Sequence, residues 1–96
     1  MATYMIFIRE GEILDHDAMK AYQSGNAAGS VPQGMKPLVV YGALEAFEGD
    51  APDGVVILQF PDAAAAKAWY FSPEYQERAK LRQQAAPYRA IMVEGL

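Results

Sequence analysis

The sequence predicts an α+β fold, an antiparallel four-stranded sheet with helices on one face. Three observations predict it. Strand-like and helix-like segments alternate in the order β-α-β-β-α-β, every strand segment is apolar at both odd and even positions, and 52% of the 96 residues are apolar, enough for one core. A chain of this length supports a single hydrophobic core rather than two, so residues 1–96 are read as one domain.

The first strand is Thr3–Arg9 (TYMIFIR), rich in β-branched and aromatic side chains and closed by Glu10-Gly11-Glu12. Asp15 is placed to cap the first helix, in which Met19, Tyr22, Asn26 and Gly29 recur at spacings of three and four. Gly25 and Gly29 weaken its C-terminal half, which is expected to fray. Two prolines and a glycine make residues 30–37 a loop. Residues 38–47 then read as a long second strand interrupted at Gly42, where a glycine suggests a bulge or a close backbone approach. The turn residues of 48–54 (EGDAPDG) suit a hairpin leading into a third strand, 55–60 (VVILQF).

Pro61-Asp62 ends that strand and caps an alanine-rich helix, Ala63–Tyr70. Ser72-Pro73-Glu74 spells a fresh helix start: a hydroxyl at the N-cap, proline at the first helical position and a carboxylate in the first turn. The second helical region is therefore expected to break at Phe71-Ser72 and to run on to about residue 85. Pro87 prevents its continuation, and Tyr88–Glu94 alternates as the last strand.

Successive residues of a strand point to opposite faces. Each strand is apolar on both sides: Tyr4, Ile6 and Ile8 against Met5 and Phe7 in the first, Val55 and Ile57 against Val56, Leu58 and Phe60 in the third, and Ile91 and Val93 against Tyr88 and Met92 in the last. The second strand is divided between Leu38, Val40 and Leu44 on one side and Val39, Tyr41 and Phe47 on the other. A sheet with helices on one side ordinarily has polar residues on the other. Here the second face also demands cover, and an apolar patch of that size marks an interface or a ligand groove. A homodimer through the sheet face is the expected partner.

Twelve acids against eight bases give a net charge of −4, which provides no basic footprint for nucleic acid or for an anionic membrane. No segment reaches the roughly 20 apolar residues of a membrane span, and the N-terminus lacks the features of a secretion signal. The absence of cysteine removes disulfide and thiolate chemistry and suits the cytoplasm. The third strand lacks the basic-aromatic pattern of an RNA-recognition sheet.

Few residues carry chemistry. His16, the single histidine, is a candidate proton carrier, but it cannot build a multi-histidine metal site, so neither metal nor cofactor is expected. Arg82 stands out by helical phase: Tyr75, Ala79, Arg82 and Ala86 share an arc of about 60°, with Glu77, Lys80 and Gln84 opposite. A guanidinium on the apolar side requires a partner. Two kinds are open: a substrate carboxylate or enolate oxygen, or a structural partner, either a carboxylate such as Glu45, Glu48 or Glu94 or carbonyls at a strand end. Trp69, Tyr70, Phe71 and Tyr75, with Tyr22 and Tyr41 brought near by the fold, either line a pocket for a planar ligand or build the core. Ser72 is explained by capping, and Glu48-Gly49-Asp50 by a solvated turn.

The segments Phe47-Glu48-Gly49-Asp50, Leu58-Gln59-Phe60-Pro61, Ala68-Trp69-Tyr70-Phe71-Ser72-Pro73-Glu74-Tyr75 and Val93-Glu94-Gly95 resemble the domain of unknown function 1330 family over essentially the whole chain. That resemblance implies a ferredoxin-like fold assembling as a dimeric α/β barrel. The wider superfamily includes cofactor-independent monooxygenases, haem-degrading enzymes and muconolactone-type isomerases, but a shared fold transfers none of these activities. Two functions stay open: a cofactor-independent enzyme on a small organic acid or phenol-like compound, with Arg82 as anion anchor and a tyrosine or His16 as proton carrier, or a non-catalytic ligand-binding or structural dimer. In the second, Arg82 is a paired structural strut; where a ligand is bound, Tyr22, Tyr41, Trp69, Tyr75 and Arg82 are the candidate ligand-binding residues.

Overall fold

The computed structural model describes residues 1–28 and 34–96. Seven elements follow in order: β1 (Thr3–Arg9), α1 (His16–Ala28), β2 (Lys36–Val40), β3 (Gly54–Phe60), α2 (Ala63–Tyr70), α3 (Pro73–Ala85) and β4 (Tyr88–Glu94). The strands form one antiparallel sheet in the order β2-β3-β1-β4, with β1 and β3 central. The α+β class and the β-α-β-β-α-β order agree with the sequence, the second helical unit being split into α2 and α3.

Register assigns the faces. Met5 lies opposite Leu58 and Met92, and Phe7 opposite Val56 and Ala90. Met5, Phe7, Leu58 and Phe60 are buried together with Ala18, Met19 and Tyr22 of α1, Ala66 of α2 and Tyr75 and Ala79 of α3, and Val56, Tyr88 and Met92 pack against them. This is the helix-covered face. The opposite face presents Ile6 beside Ile57 and Ile91, and Tyr4 beside Val93; Ile91 and Val93 remain 43% and 44% exposed. Among the described residues no helix is long and apolar enough to cross a membrane.

The helix starts are where the side chains put them. The Asp15 carboxylate accepts from the Ala18 N–H at 2.9 Å and from Gln84 at 2.7 Å, and these two bonds hold its carboxyl below the ordinary aspartate range. Asp62 caps α2 by accepting from Ala65 N–H at 2.8 Å. The predicted break is present: Ser72 Oγ accepts from Tyr75 N–H at 3.2 Å and donates to the Trp69 carbonyl at 2.7 Å, while Gln76 reaches back to the Tyr70 carbonyl at 2.6 Å. Backbone groups freed by the break are thereby satisfied within one turn. Gly25, expected only to loosen α1, has a packing role, since a Cβ there would stand 2.8 Å from Arg78 Cδ on α3.

The second strand is the main correction. It starts earlier than expected, at Lys36, and ends at Val40 rather than at Phe47. Its bulge lies between Pro37 and Val39, so the expected division of its side chains by simple alternation does not hold. Gly42 has open space around it and marks neither a bulge nor a close approach. The strand ends because Tyr41 adopts φ 53°, outside the extended region, and the chain to residue 53 leaves the sheet. Leu44 and Phe47 find no cover along this segment, and Phe47 is 89% exposed. Gly29 and residues 30–33 of the expected loop lie outside the described residues, as does the side chain of Asn26.

Candidate functional site

Helical phase delivers Arg82 to the interior. Tyr75, Ala79 and Arg82 are buried on one side of α3 with Ala85 and Ala86, and Arg82 is only 3% exposed. Glu77 and Lys80 pair on the outer side at 3.0 Å, where charge is inexpensive. The Arg82 guanidinium carbon sits 5.2 Å from the Phe7 ring centre and 5.1 Å from that of Tyr88, two cation–π contacts that supply attraction but no counter-charge. Its Nε has no hydrogen-bond partner. Among the described residues no carboxylate lies within ion-pairing distance of it, so Glu45, Glu48 and Glu94 are not its partners. Glu48 and Asp50 are exposed on the segment that leaves the sheet.

Two phenol pairs stand beside this guanidinium. Tyr22 and Tyr75 hydroxyls meet at 3.0 Å in the core, and Tyr41 and Tyr88 hydroxyls at 2.6 Å near the end of the sheet. Burial pushes the Tyr75 hydroxyl pKa well up, with Tyr22 adding to the effect. Burial does the same to Tyr41, helped by its bond to Tyr88. Burial opposes the charged form of Arg82, but Tyr75 and Tyr22 favour it more, and the net direction is up. The arginine is therefore a cation, and Tyr41 and Tyr75 are neutral at ordinary pH. Nothing nearby among the described residues cancels its charge.

Arg82 lines a cleft of about 370 Å³. The end of α2 contributes Tyr70, the last turn of α3 Arg82 and Gln83, the turn after it Ala86 and Pro87, and β4 Tyr88 and Ala90. Pro87 ends the helix and Ala86, extended at φ −163°, turns the chain back into the sheet, so the helix stop itself makes the rim. A small concave site with aromatic and alkyl walls and one cation suits an organic anion.

Of the residues singled out from sequence, Arg82 lines the cleft, Tyr75 and Tyr22 lie behind it, and Tyr41 reaches it only through Tyr88. Trp69 does not line it. Its ring stacks 4.1 Å from Tyr75 and 5.5 Å from Phe60, within the core cluster. His16 is exposed in the first turn of α1 and belongs to no part of the cleft. Tyr88 and Pro87 were readable only as strand and helix stop; the usable signal was the parity of Tyr88 with Met92, which turns its ring toward the helices.

A family model described as a domain of unknown function (DUF1330) matches residues 2–96. No curated protein matches the chain. Among solved structures, a methylated protein of unknown function from Rhodopseudomonas palustris is similar at 23% identity and TM-score 0.72, covering 99% of this chain and 81% of that one. A dimeric ferredoxin-like protein of unknown function from a Jannaschia species is similar at 15% identity and TM-score 0.68, covering 99% and 100%. A protein from Bacillus halodurans described as of the ethyl tert-butyl ether d (EthD) family is similar at 13% identity and TM-score 0.65, covering 100% of each chain. At these identities the likeness establishes the ferredoxin-like fold.

Proposed function

Because the chain belongs to the DUF1330 family, whose members carry no established reaction to borrow, we propose a function from its own residues: a homodimeric binder of small organic anions, held by Arg82. The observation that carries this reading is a buried guanidinium lining a cleft with no carboxylate within reach. A desolvated cation is costly unless paired, and a ligand carboxylate or enolate supplies the pair bidentately. Binding is favoured over acid–base catalysis because Tyr41 and Tyr75 hold their protons too tightly to act as bases near neutrality, and His16 stands away from the cleft.

The test is thermal melting of the wild type and Arg82→Met with acetate, malonate and benzoate. Ligand at about 100-fold above Kd stabilises by about 2.7 kcal/mol, a rise of several degrees for a domain of this size. The wild type should show that rise with at least one anion and Arg82→Met should not, while the ligand-free variant melts close to the wild type because no ion pair is broken. Equal responses in the two proteins, or none in either, would refute the reading.

The second copy is proposed to cover the open sheet face, giving a dimeric α/β barrel. Support comes from the half-exposed isoleucines and valines there and from the Jannaschia protein's description as dimeric. A chain without cysteine is also suited to the cytoplasm, where we place it.

A further inference from the structure

Tyr41 is the non-glycine residue with positive φ among the described residues, at 53°. That region is strained for a bulky side chain and persists only where surroundings enforce it. The enforcement is specific. The Tyr41 N–H donates to the Val55 carbonyl at 2.9 Å, and its ring lies over Gly54, where a Cβ would stand 2.7 Å from Cδ1. Arg9, anchored on the Asp53 carbonyl at 2.9 Å, places its guanidinium 5.8 Å from the ring centre. The hydroxyl ends 2.6 Å from that of Tyr88.

Topology shows how far this contact reaches. β2 and β4 are the two edges of the sheet, about 14 Å apart at three strand spacings. Tyr41 comes from one edge and Tyr88 from the other, and register sets Arg9 opposite both Gly54 and Tyr88. The two rings meet across the centre of the sheet, over a position left bare by glycine. The strained residue thus terminates on a side chain that walls the cleft.

We propose that Tyr41 is a positioning residue for an aromatic carboxylate: its hydroxyl donates to Tyr88 Oη and so turns the Tyr88 O–H toward the anion held by Arg82. This inference rests on the anion-binding reading above. Each phenol has one proton to donate and the bond between them uses one. If Tyr41 donates, Tyr88 keeps its own proton for the ligand, and the chain of donors strengthens it. The aromatic class rests on the lining, in which two tyrosine rings, Tyr70 and Tyr88, stand with Ala86, Pro87 and Ala90 beside the polar Arg82 and Gln83.

The experiment is calorimetric titration of benzoate, with acetate beside it, into the full chain and its Tyr41→Phe, Tyr88→Phe, doubly substituted and Arg82→Met forms. Tyr41→Phe and Tyr88→Phe should each weaken benzoate by about five- to tenfold, and the double variant should be no weaker than Tyr88→Phe alone. Gly54→Ala, which drives a methyl into the Tyr41 ring, should reproduce the loss. A merely structural Tyr41 would lower the melting temperature and leave benzoate affinity of the folded protein unchanged. Wild-type affinity in Tyr41→Phe, or losses that add, would overturn the inference while Arg82→Met, losing benzoate, upheld the anion site. Binding of acetate without benzoate would remove the aromatic class, and binding of neither would remove the anion site and this inference with it.

Discussion

The two faces of the sheet are built from the same kinds of side chain and meet different fates. On one, Phe60 is fully buried and Met5, Phe7 and Leu58 nearly so under three helices; on the other, Ile91 and Val93 stand almost half exposed. The difference is supplied by the helices, not by the strands: the buried apolar residues of α1, α2 and α3 all join the cluster of Met5, Phe7, Leu58 and Phe60. Strand composition therefore reports how many partners a sheet needs, and helix count reports how many the chain itself provides.

The largest expected effect tests the covered face. Phe60→Ala should cost about 3–5 kcal/mol, a large part of the stability of any small domain, and denaturant unfolding would measure it. An intact midpoint would mean that this face is not the main source of stability. The open face should respond through assembly. Ile57→Asp, whose neighbours are Ile6 and Val39, should convert dimer to monomer in sedimentation at micromolar concentration while leaving the monomer folded; Val56 and Leu58 face the helices and would test the wrong side. A wild type that sediments only as monomer would break the comparison. The smallest effect belongs to neither face: Ser72→Ala should cost about 0.5–2 kcal/mol through the lost cap and leave the sedimentation profile untouched.

Most of the fold was legible because each signal was local. Proline and hydroxyl at 72–73 needed no tertiary context to start α3, and the phase of Tyr75, Ala79 and Arg82 needed only helix geometry to place them inside. The second strand ends before its sequence pattern does: the apolar alternation continues past Val40, whereas the backbone turns there to carry Tyr41 across Gly54. After that turn the Tyr41 hydroxyl meets Tyr88, 47 residues away in sequence, a contact that no window on the second strand contains. The site divides in the same way. Arg82 was found by phase, but its lack of a carboxylate and the wall formed by Tyr70, Pro87 and Tyr88 depend on how three elements converge. Composition does not distinguish Trp69 from a pocket residue; its ring contact with Phe60 does.

The position of Trp69 has an optical consequence. It is the single tryptophan of the chain, and its ring lies 4.1 Å from Tyr75 and 6.4 Å from Tyr70, one side chain removed from the cleft. Excitation absorbed by those tyrosines passes to one emitter, and the tilted stack fixes a chiral arrangement of rings that gives a near-ultraviolet dichroism band. The molecule thus carries an intrinsic chromophore one ring from the wall of its own cleft, so that the proposed anion binding can be tested by light without attaching a label.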